Sequence, residues 1–191
     1  SVRMEQGLGA GVVQNGVIYS GAQGIAGNIG HMSIDYQGIP CECGNVGCLR
    51  NYCTAKALVR DVTEELQASD APSTLRGAVL TSQSIISAAK AGDALALKHL
   101  KRIARYLGFG LVNTIYTYNP DLIILSEEFS QAGDLYLSEI REVFAARLRP
   151  AIAERVRLRF SCLEGDVVLI GAITLVIDRI MQSPSRYLDL A

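Results

Sequence analysis

Between His31 and Cys48 the chain places one of its two histidines and three of its five cysteines. The stretch runs from Gly27-Asn28-Ile29-Gly30-His31 to Pro40-Cys41-Glu42-Cys43-Gly44-Asn45-Val46-Gly47-Cys48, and it limits what the chain can fold into more than any other. Three thiolates and one imidazole complete the tetrahedral set that a closed, structural zinc site uses, with no position left for an attacking water. Cys41 and Cys43 flank Glu42, so an extended backbone sends both side chains the same way. Gly44 and Gly47 permit the tight return that brings Cys48 to the same point. His31 comes from upstream across a Gly38-Ile39-Pro40 turn, so a metal held by His31, Cys41, Cys43 and Cys48 pins that loop to the element before it. Deprotonated ligands make such a site sensitive to pH and to chelators. A disulfide such as Cys43 to Cys48, or buried free thiols, are the alternatives. The odd cysteine count and the lack of a visible signal peptide weigh against a secreted disulfide scaffold.

With 191 residues the chain is long enough for one substantial domain or two small ones. A formal net charge of -1 argues against a dedicated nucleic-acid surface, although a local basic patch stays open. No apolar run approaches the roughly 18 residues of a membrane span, the longest being Val167 to Ile177. The expected setting is cytoplasmic and reducing. A glycine-rich motif at the very start points to a fragment of a longer protein.

Residues Val2 to Ser20 carry short β-type runs broken by Gly7-Leu8-Gly9-Ala10-Gly11, and Asn15-Gly16 supplies a hairpin signal. Gly7, Gly9 and Gly11 let backbone N–H groups approach a phosphate. The alternative is close packing of one strand on another. Helical periodicity follows the cysteines, with Thr54 as N-cap and Ala57, Leu58, Val62 and Leu66 as the apolar stripe, up to about Gln67. Asp70-Ala71-Pro72-Ser73 breaks it. A second helix spans Ser82 to Ala91, and a third, capped by Asp93, runs to Asn119-Pro120 with Leu100, Ile103, Ala104, Leu107, Leu111 and Ile115 on one face. Lys98, Lys101, Arg102 and Arg105 lie opposite, a face that suits solvent better than DNA. His99 has no ligand-type neighbour in sequence.

Leu122 to Leu125 has the composition of a strand buried on both faces. A helix over roughly Ala132 to Leu148 stops at Pro150. Arg155, Arg157 and Arg159 then alternate with Val156, Leu158 and Phe160, the period of a half-buried strand with a charged face. The row reads as an exposed edge whose charge Glu139, Glu142 and Glu154 offset in part, with anion binding as the alternative. An apolar helix from near Asp166 and a polar tail from Gln182 close the chain. Strands first, then alternating helices and strands, indicate a mixed α/β domain.

Gly7-x-Gly9-x-Gly11, Asn15-Gly16, Ala26-Gly27-Asn28-Ile29-Gly30-His31, Cys41-x-Cys43-Gly44-x-x-Gly47-Cys48-Leu49, Asn119-Pro120-Asp121 and Gly171-Ala172 together resemble the ROK family of repressors, open reading frames and kinases. The resemblance covers nearly the whole chain. It implies an actin-like ATPase (ribonuclease H-like) fold, with residues 1–191 forming the C-terminal lobe: a mixed sheet, flanking helices, and a zinc-bound loop over 27–50. The first lobe, with the kinases' catalytic aspartate, and the regulators' winged helix-turn-helix are expected upstream.

Carried over by resemblance, the family's zinc ligands match His31, Cys41, Cys43 and Cys48, and its sugar-contacting places match Asn28, His31 and Arg50. Sugar-binding members have glutamate where this chain has Asn28 and Arg50. An amide still hydrogen-bonds a hydroxyl but lacks the charge-assisted strength of a carboxylate, and arginine reverses the sign. Arg50 therefore suggests an anionic effector, with a salt bridge inside the zinc loop as the alternative. Kinase members follow the buried strand with a glycine-rich turn, whereas this chain reads Leu125-Ser126-Glu127-Glu128-Phe129. A carboxylate facing polyphosphate there costs roughly 3 kcal/mol per charge pair at about 5 Å.

The expectation is therefore a non-catalytic effector-sensing and oligomerisation domain of a ROK transcriptional regulator. It has no catalytic residue, answers to a sugar or sugar-phosphate effector, and uses Gly7, Gly9 and Gly11 only as a degenerate phosphate loop with ATP binding disfavoured. DNA contact falls to the upstream helix-turn-helix, and the partner is a second copy. The alternatives are the second lobe of an ATP-dependent sugar kinase and a zinc-stabilised assembly domain without ligand.

Overall fold

The computed structural model describes residues 2–3, 7–163, 165 and 167–183. The chain divides into two units, Ser1–Ser161 and Cys162–Ala191.

In the first unit, β1 (Val2–Arg3) and β2 (Gly9–Ala10) pair antiparallel. They are followed by the hairpin of β3 (Val13–Gln14) and β4 (Val17–Ile18). Asn15 and Gly16 take φ of 52° and 77°, the two positive values that a tight two-residue hairpin loop requires. The loop containing His31 and the cysteines leads into α1 (Arg50–Cys53) and α2 (Ala55–Ala68), where the Thr54 hydroxyl accepts from Ala57 N–H as expected of the N-cap. Next come α3 (Ser82–Lys90) and α4 (Ala94–Tyr118), which ends at Asn119 in the left-handed region, φ 45°. Strand β5 (Leu122–Leu125), a 3-10 turn over Glu127–Ala132, α5 (Asp134–Arg147), the short α6 (Pro150–Ala153) and β6 (Arg157–Phe160) complete it. Pro150 starts α6 at its first turn, where its missing N–H costs nothing.

The sheet order is β2-β1-β5-β6, with β5 parallel to both β1 and β6. This is the mixed α/β arrangement expected from the alternation of elements. Helix α4 is the spine. Leu100, Ile103, Leu107, Leu111 and Ile115 are all buried along it, at about 1.5–3 kcal/mol per side chain. Gly108 lets α5 close in, since a Cβ there would stand 2.9 Å from that of Val143.

Strand β5 differs from the expectation of burial on both faces. Ile123 and Leu125 are buried, but Leu122 is 39 % exposed. Ile124, the next residue on the same side as Leu122, is half-buried. Pairing sets Leu122 beside Arg157 and Ile124 beside Arg159, so the arginine row shares the less covered face. The edge position of β6 is as expected, but Glu139 does not offset those arginines. Glu139 is 2 % exposed and holds Lys101 at 2.6 Å and Arg105 at 3.6 Å. Lys98 pairs with Glu65 and Arg102 with Asp61, so every cation of the basic α4 face has a carboxylate partner. His99, one turn from that face, is 1 % exposed, and its Nε2 stands 2.9 Å from Glu65.

Asp93 shows what tertiary structure adds to a helix cap. Burial works against its ionisation, but Ala96 N–H, the Ser73 hydroxyl, and the N–H and hydroxyl of Thr74 all donate to it and hold its carboxyl down at about 2. A depressed carboxyl contributes stability above its unfolded value, near 3.8, and loses it as pH falls through about 2. The Asp93→Asn variant is expected to be less stable by about 2 kcal/mol in urea unfolding at pH 7, with the difference closing by about pH 2. A gap that persists at the acid end contradicts this account.

In the second unit α7 (Val167–Gln182) leaves Leu169, Ile173, Leu175, Val176, Ile177 and Met181 half or more exposed. The expected helix start at Asp166, and the tail beyond Ser183, lie outside the described residues. No helix among the described residues is long and apolar enough to cross a membrane.

Candidate metal centre

Local hydrogen bonding folds the cysteine loop before any metal is considered. Cys41 N–H donates to Asn45 O at 2.8 Å and Gly44 N–H to Cys41 O at 3.0 Å, so the segment closes as a tight turn with both cysteines on it. The arm leading to Cys48 pairs with the arm leaving His31: Ile34 N–H donates to Gly47 O and Leu49 N–H to Met32 O, both at 2.9 Å. His31 ends a 3-10 turn, Ile29–His31, for which Asn28 is the cap position. Gly47 has φ +71°, and a Cβ there would fall 1.7 Å from Asp35 O.

Two anchors join this loop to the helices. Leu49 is fully buried and lies in the notch at Gly110 of α4, where a Cβ would meet Leu49 Cδ2 at 2.1 Å. The Tyr52 hydroxyl accepts from Ile39 N–H at 2.7 Å while its ring rests against Tyr106, centroids 4.9 Å apart. Tyr52 carries no ligand chemistry, and nothing in the sequence singled it out.

The four candidate ligands come together. One donor atom each from His31, Cys41, Cys43 and Cys48 lies within 4.8 Å of the others. The Sγ atoms of Cys43 and Cys48 are 3.7 Å apart, and Cys41 Sγ is 3.9 Å from His31 Nδ1. A tetrahedron of ligands at about 2.0–2.3 Å from a metal has edges of roughly 3.3–3.8 Å, so the Cys43–Cys48 and Cys41–His31 separations are near those of a filled site and the widest, 4.8 Å, has to close by about 1 Å. The Cys43–Cys48 separation is far longer than the ~2.05 Å of a disulfide, and all five cysteines are free. Hydrogen bonding from the Cys43 backbone lowers the Cys41 thiol below its ordinary value, whereas burial pushes Cys48 up to about 12. Cys53 is not a fourth sulfur ligand: it is wholly buried and donates to Leu49 O at 3.3 Å.

The other singled-out residues fall as follows. Asn28 is exposed and makes no side-chain cap bond. Arg50, at the start of α1, places Nη1 2.7 Å from Glu42 Oε1, an ion pair to the cysteine loop of the kind that was the alternative to an anion contact. A Cβ at Gly9 or Gly11 would meet no described atom within 4 Å, and close strand contact occurs instead at Gly27 and Gly30, against Ala10 O and Leu8 O.

The family model described as "ROK family" matches residues 1–179. The chain belongs to the ROK family. Among curated ROK relatives, it is 37 % identical to a glucokinase of Halalkalibacterium halodurans over 175 residues, 89 % of this chain and 53 % of that protein. It is 30 % identical to a xylose repressor of Caldicellulosiruptor bescii over 181 residues, 93 % of this chain and 45 % of the repressor. A solved ROK transcriptional regulator, a homologue of the Escherichia coli MLC protein, superimposes with a TM-score of 0.80 at 32 % identity, over 85 % of this chain and 41 % of its own. The chain thus spans about half the length of the curated relatives it matches. Relatives of both kinds, named as xylose repressors and as glucokinases, match this chain, and a solved ROK glucokinase of Streptomyces griseus shares its α/β fold with a TM-score of 0.80 at 29 % identity, over 91 % of this chain and 58 % of its own.

Proposed function

We propose that this chain is the effector-sensing and oligomerisation lobe of a cytoplasmic ROK transcriptional regulator that responds to a sugar or sugar derivative. The carrying observation is the segment after β5. Phe129 is fully buried there and stacks on Tyr136 at 4.8 Å, and Glu128 accepts from the Ser82 hydroxyl at 2.8 Å. A side-chain-filled, acidic turn at that place disfavours polyphosphate, which supports a lobe that senses rather than phosphorylates. Asn28 and Arg50, in place of two carboxylates, support the same reading.

His31, Cys41, Cys43 and Cys48 would hold a structural zinc ion, and bound zinc would supply a closed cross-link with no open coordination position. The residues around it do the recognition. Asn28 presents an amide to a ligand hydroxyl and His31 sits at the end of the same turn, while Arg50 is the third contact that the family resemblance implies. A ligand acts on such a regulator only through different affinity for its DNA-bound and released states, and the loop's anchors at Leu49 and Tyr52 carry that difference to α4. DNA contact belongs to an upstream winged helix-turn-helix, and the functional unit is a homo-oligomer.

The 37 % identity to a glucokinase favours a second reading, the second lobe of an ATP-dependent sugar kinase. Calorimetric titration of the full polypeptide with glucose, xylose and N-acetylglucosamine, beside an ATP-turnover assay on the same sugars, separates the two. Sugar binding without turnover, accompanied by release of DNA, is expected. Sugar-dependent ATP consumption overturns the regulator reading.

A further inference from the structure

Of the four candidate ligands only Cys43 is exposed, while Cys41 and Cys48 are buried and His31 is half-buried. Cys43 Sγ lies 3.7 Å from Cys48 Sγ, which in turn stands 3.6 Å from His31 O. An exposed sulfur beside a sheltered one is the arrangement of a redox-sensing pair: the first is open to an oxidant, and the second is in place to resolve the product. The other cysteines do not offer it. Cys53 is wholly buried and donates to Leu49 O, and Cys162 belongs to the second unit. Cys41 is one residue removed from Cys43, so a bridge between them would close a short, strained ring, and its backbone N–H is tied to Asn45 O.

The two arms of the pair differ in freedom. The Cys48 arm is held by Gly47 against Asp35 O, by the bridge of Cys48 with Ser33, and by Leu49 N–H on Met32 O. The Cys43 arm leads into Gly44, at φ +88°, where a Cβ would meet no described atom within 4 Å. The exposed sulfur therefore has room to move the roughly 1.7 Å between its present separation and a bond of ~2.05 Å, while its partner stays in place.

We propose that Cys43 and Cys48 form a redox switch on the metal centre: a hydroperoxide oxidises Cys43, Cys48 closes the disulfide, and the metal is lost with two of its four ligands. The switch rests on the metal site of the proposed function but on neither its sugar nor its DNA contact. In the first step the Cys43 thiolate attacks the peroxide, whose O–O bond breaks; one oxygen stays as a sulfenic acid and the other leaves as hydroxide. In the second, Cys48 Sγ attacks Cys43 Sγ, the S–S bond forms, the S–O bond breaks, and the departing oxygen leaves as water with the Cys48 proton. The sulfurs give up two electrons and the peroxide takes them. His31 and Cys41 alone are half of a closed tetrahedral set. In a reducing compartment such a bridge is transient, because thiol reductants reopen it.

The test treats the zinc-loaded full polypeptide with hydrogen peroxide. Free thiols are counted after denaturation, zinc is captured by a colorimetric chelator, and bridged peptides are mapped by mass spectrometry. Free thiols should fall by two, zinc should be released in step with the bridge, and the bridge should join Cys43 to Cys48. Dithiothreitol with added zinc should restore both thiols and metal, and Cys162→Ser should change neither the bridge nor the release. Zinc release with Cys43 as a sulfinic acid and no bridge, a bridge that uses Cys41, or a Cys43–Cys48 bridge with zinc retained overturns the switch and leaves the metal site standing. A reduced native protein that takes up no zinc overturns the site and the switch together.

Discussion

Chelation of the metal-loaded chain is expected to lower its melting temperature by roughly 10 °C. The estimate follows from linkage: a metal held about 1,000-fold below its free concentration stabilises the folded state by about 4 kcal/mol, and a chain of this size loses about 2–4 °C per kcal/mol. The donor geometry makes the effect specific. Cys43 is exposed, so its thiol contributes little buried surface of its own. Cys43→Ala should therefore melt lower than the native chain when both are loaded, and together with it when both are chelated. Ligand response should fall with stability, because Asn28 and His31 stand on the turn that the ligands hold. Zinc loss verified by a colorimetric assay, with an unchanged melting curve, contradicts a structural role.

Gly47→Ala should be among the most damaging changes in the cysteine loop, costing about 3 kcal/mol or more. Two costs combine there. A side chain at φ +71° is strained, and its Cβ would overlap the Asp35 carbonyl oxygen, which is backbone and has nowhere to go. Gly44 provides the control. Its φ is +88°, but a Cβ there meets nothing within 4 Å among the described residues, so Gly44→Ala carries the strain alone, about 1 kcal/mol. Urea unfolding of the two variants, with retained metal measured against a competing chelator, tests the contrast. Equal losses would mean that the Asp35 contact yields and that only backbone conformation matters.

Much of the fold was legible because its signals are local. Thr54, Asp93 and Asn119 mark helix ends by chemistry within one turn, and Asn15-Gly16 dictates a hairpin whatever surrounds it. The misreadings were all of contacts between distant segments. Four apolar residues in a row looked like a strand covered on both faces, but covering is a property of neighbours, and Leu122 is exposed in its unit. Glu139 was assigned to the nearby arginine row, yet α5 turns it inward to Lys101 and Arg105 of α4. His99 looked isolated because its partner, Glu65, lies on another helix.

The candidate metal centre divides the same way. The sequence by itself determined the donor set, since His31, Cys41, Cys43 and Cys48 offer the right chemistry at spacings that Gly44 and Gly47 let the chain close. It also carried the ROK pattern that the family match over residues 1–179 bears out. Only the tertiary structure decided that the four donor atoms meet within 4.8 Å, and that Glu42 rather than open solvent faces Arg50. Ligand identity is written in residue type, whereas the separation of donors and the pairing of charges depend on where the loop is held. That is set by Leu49 in the Gly110 notch and by Tyr52 on Ile39, contacts that no local spacing encodes.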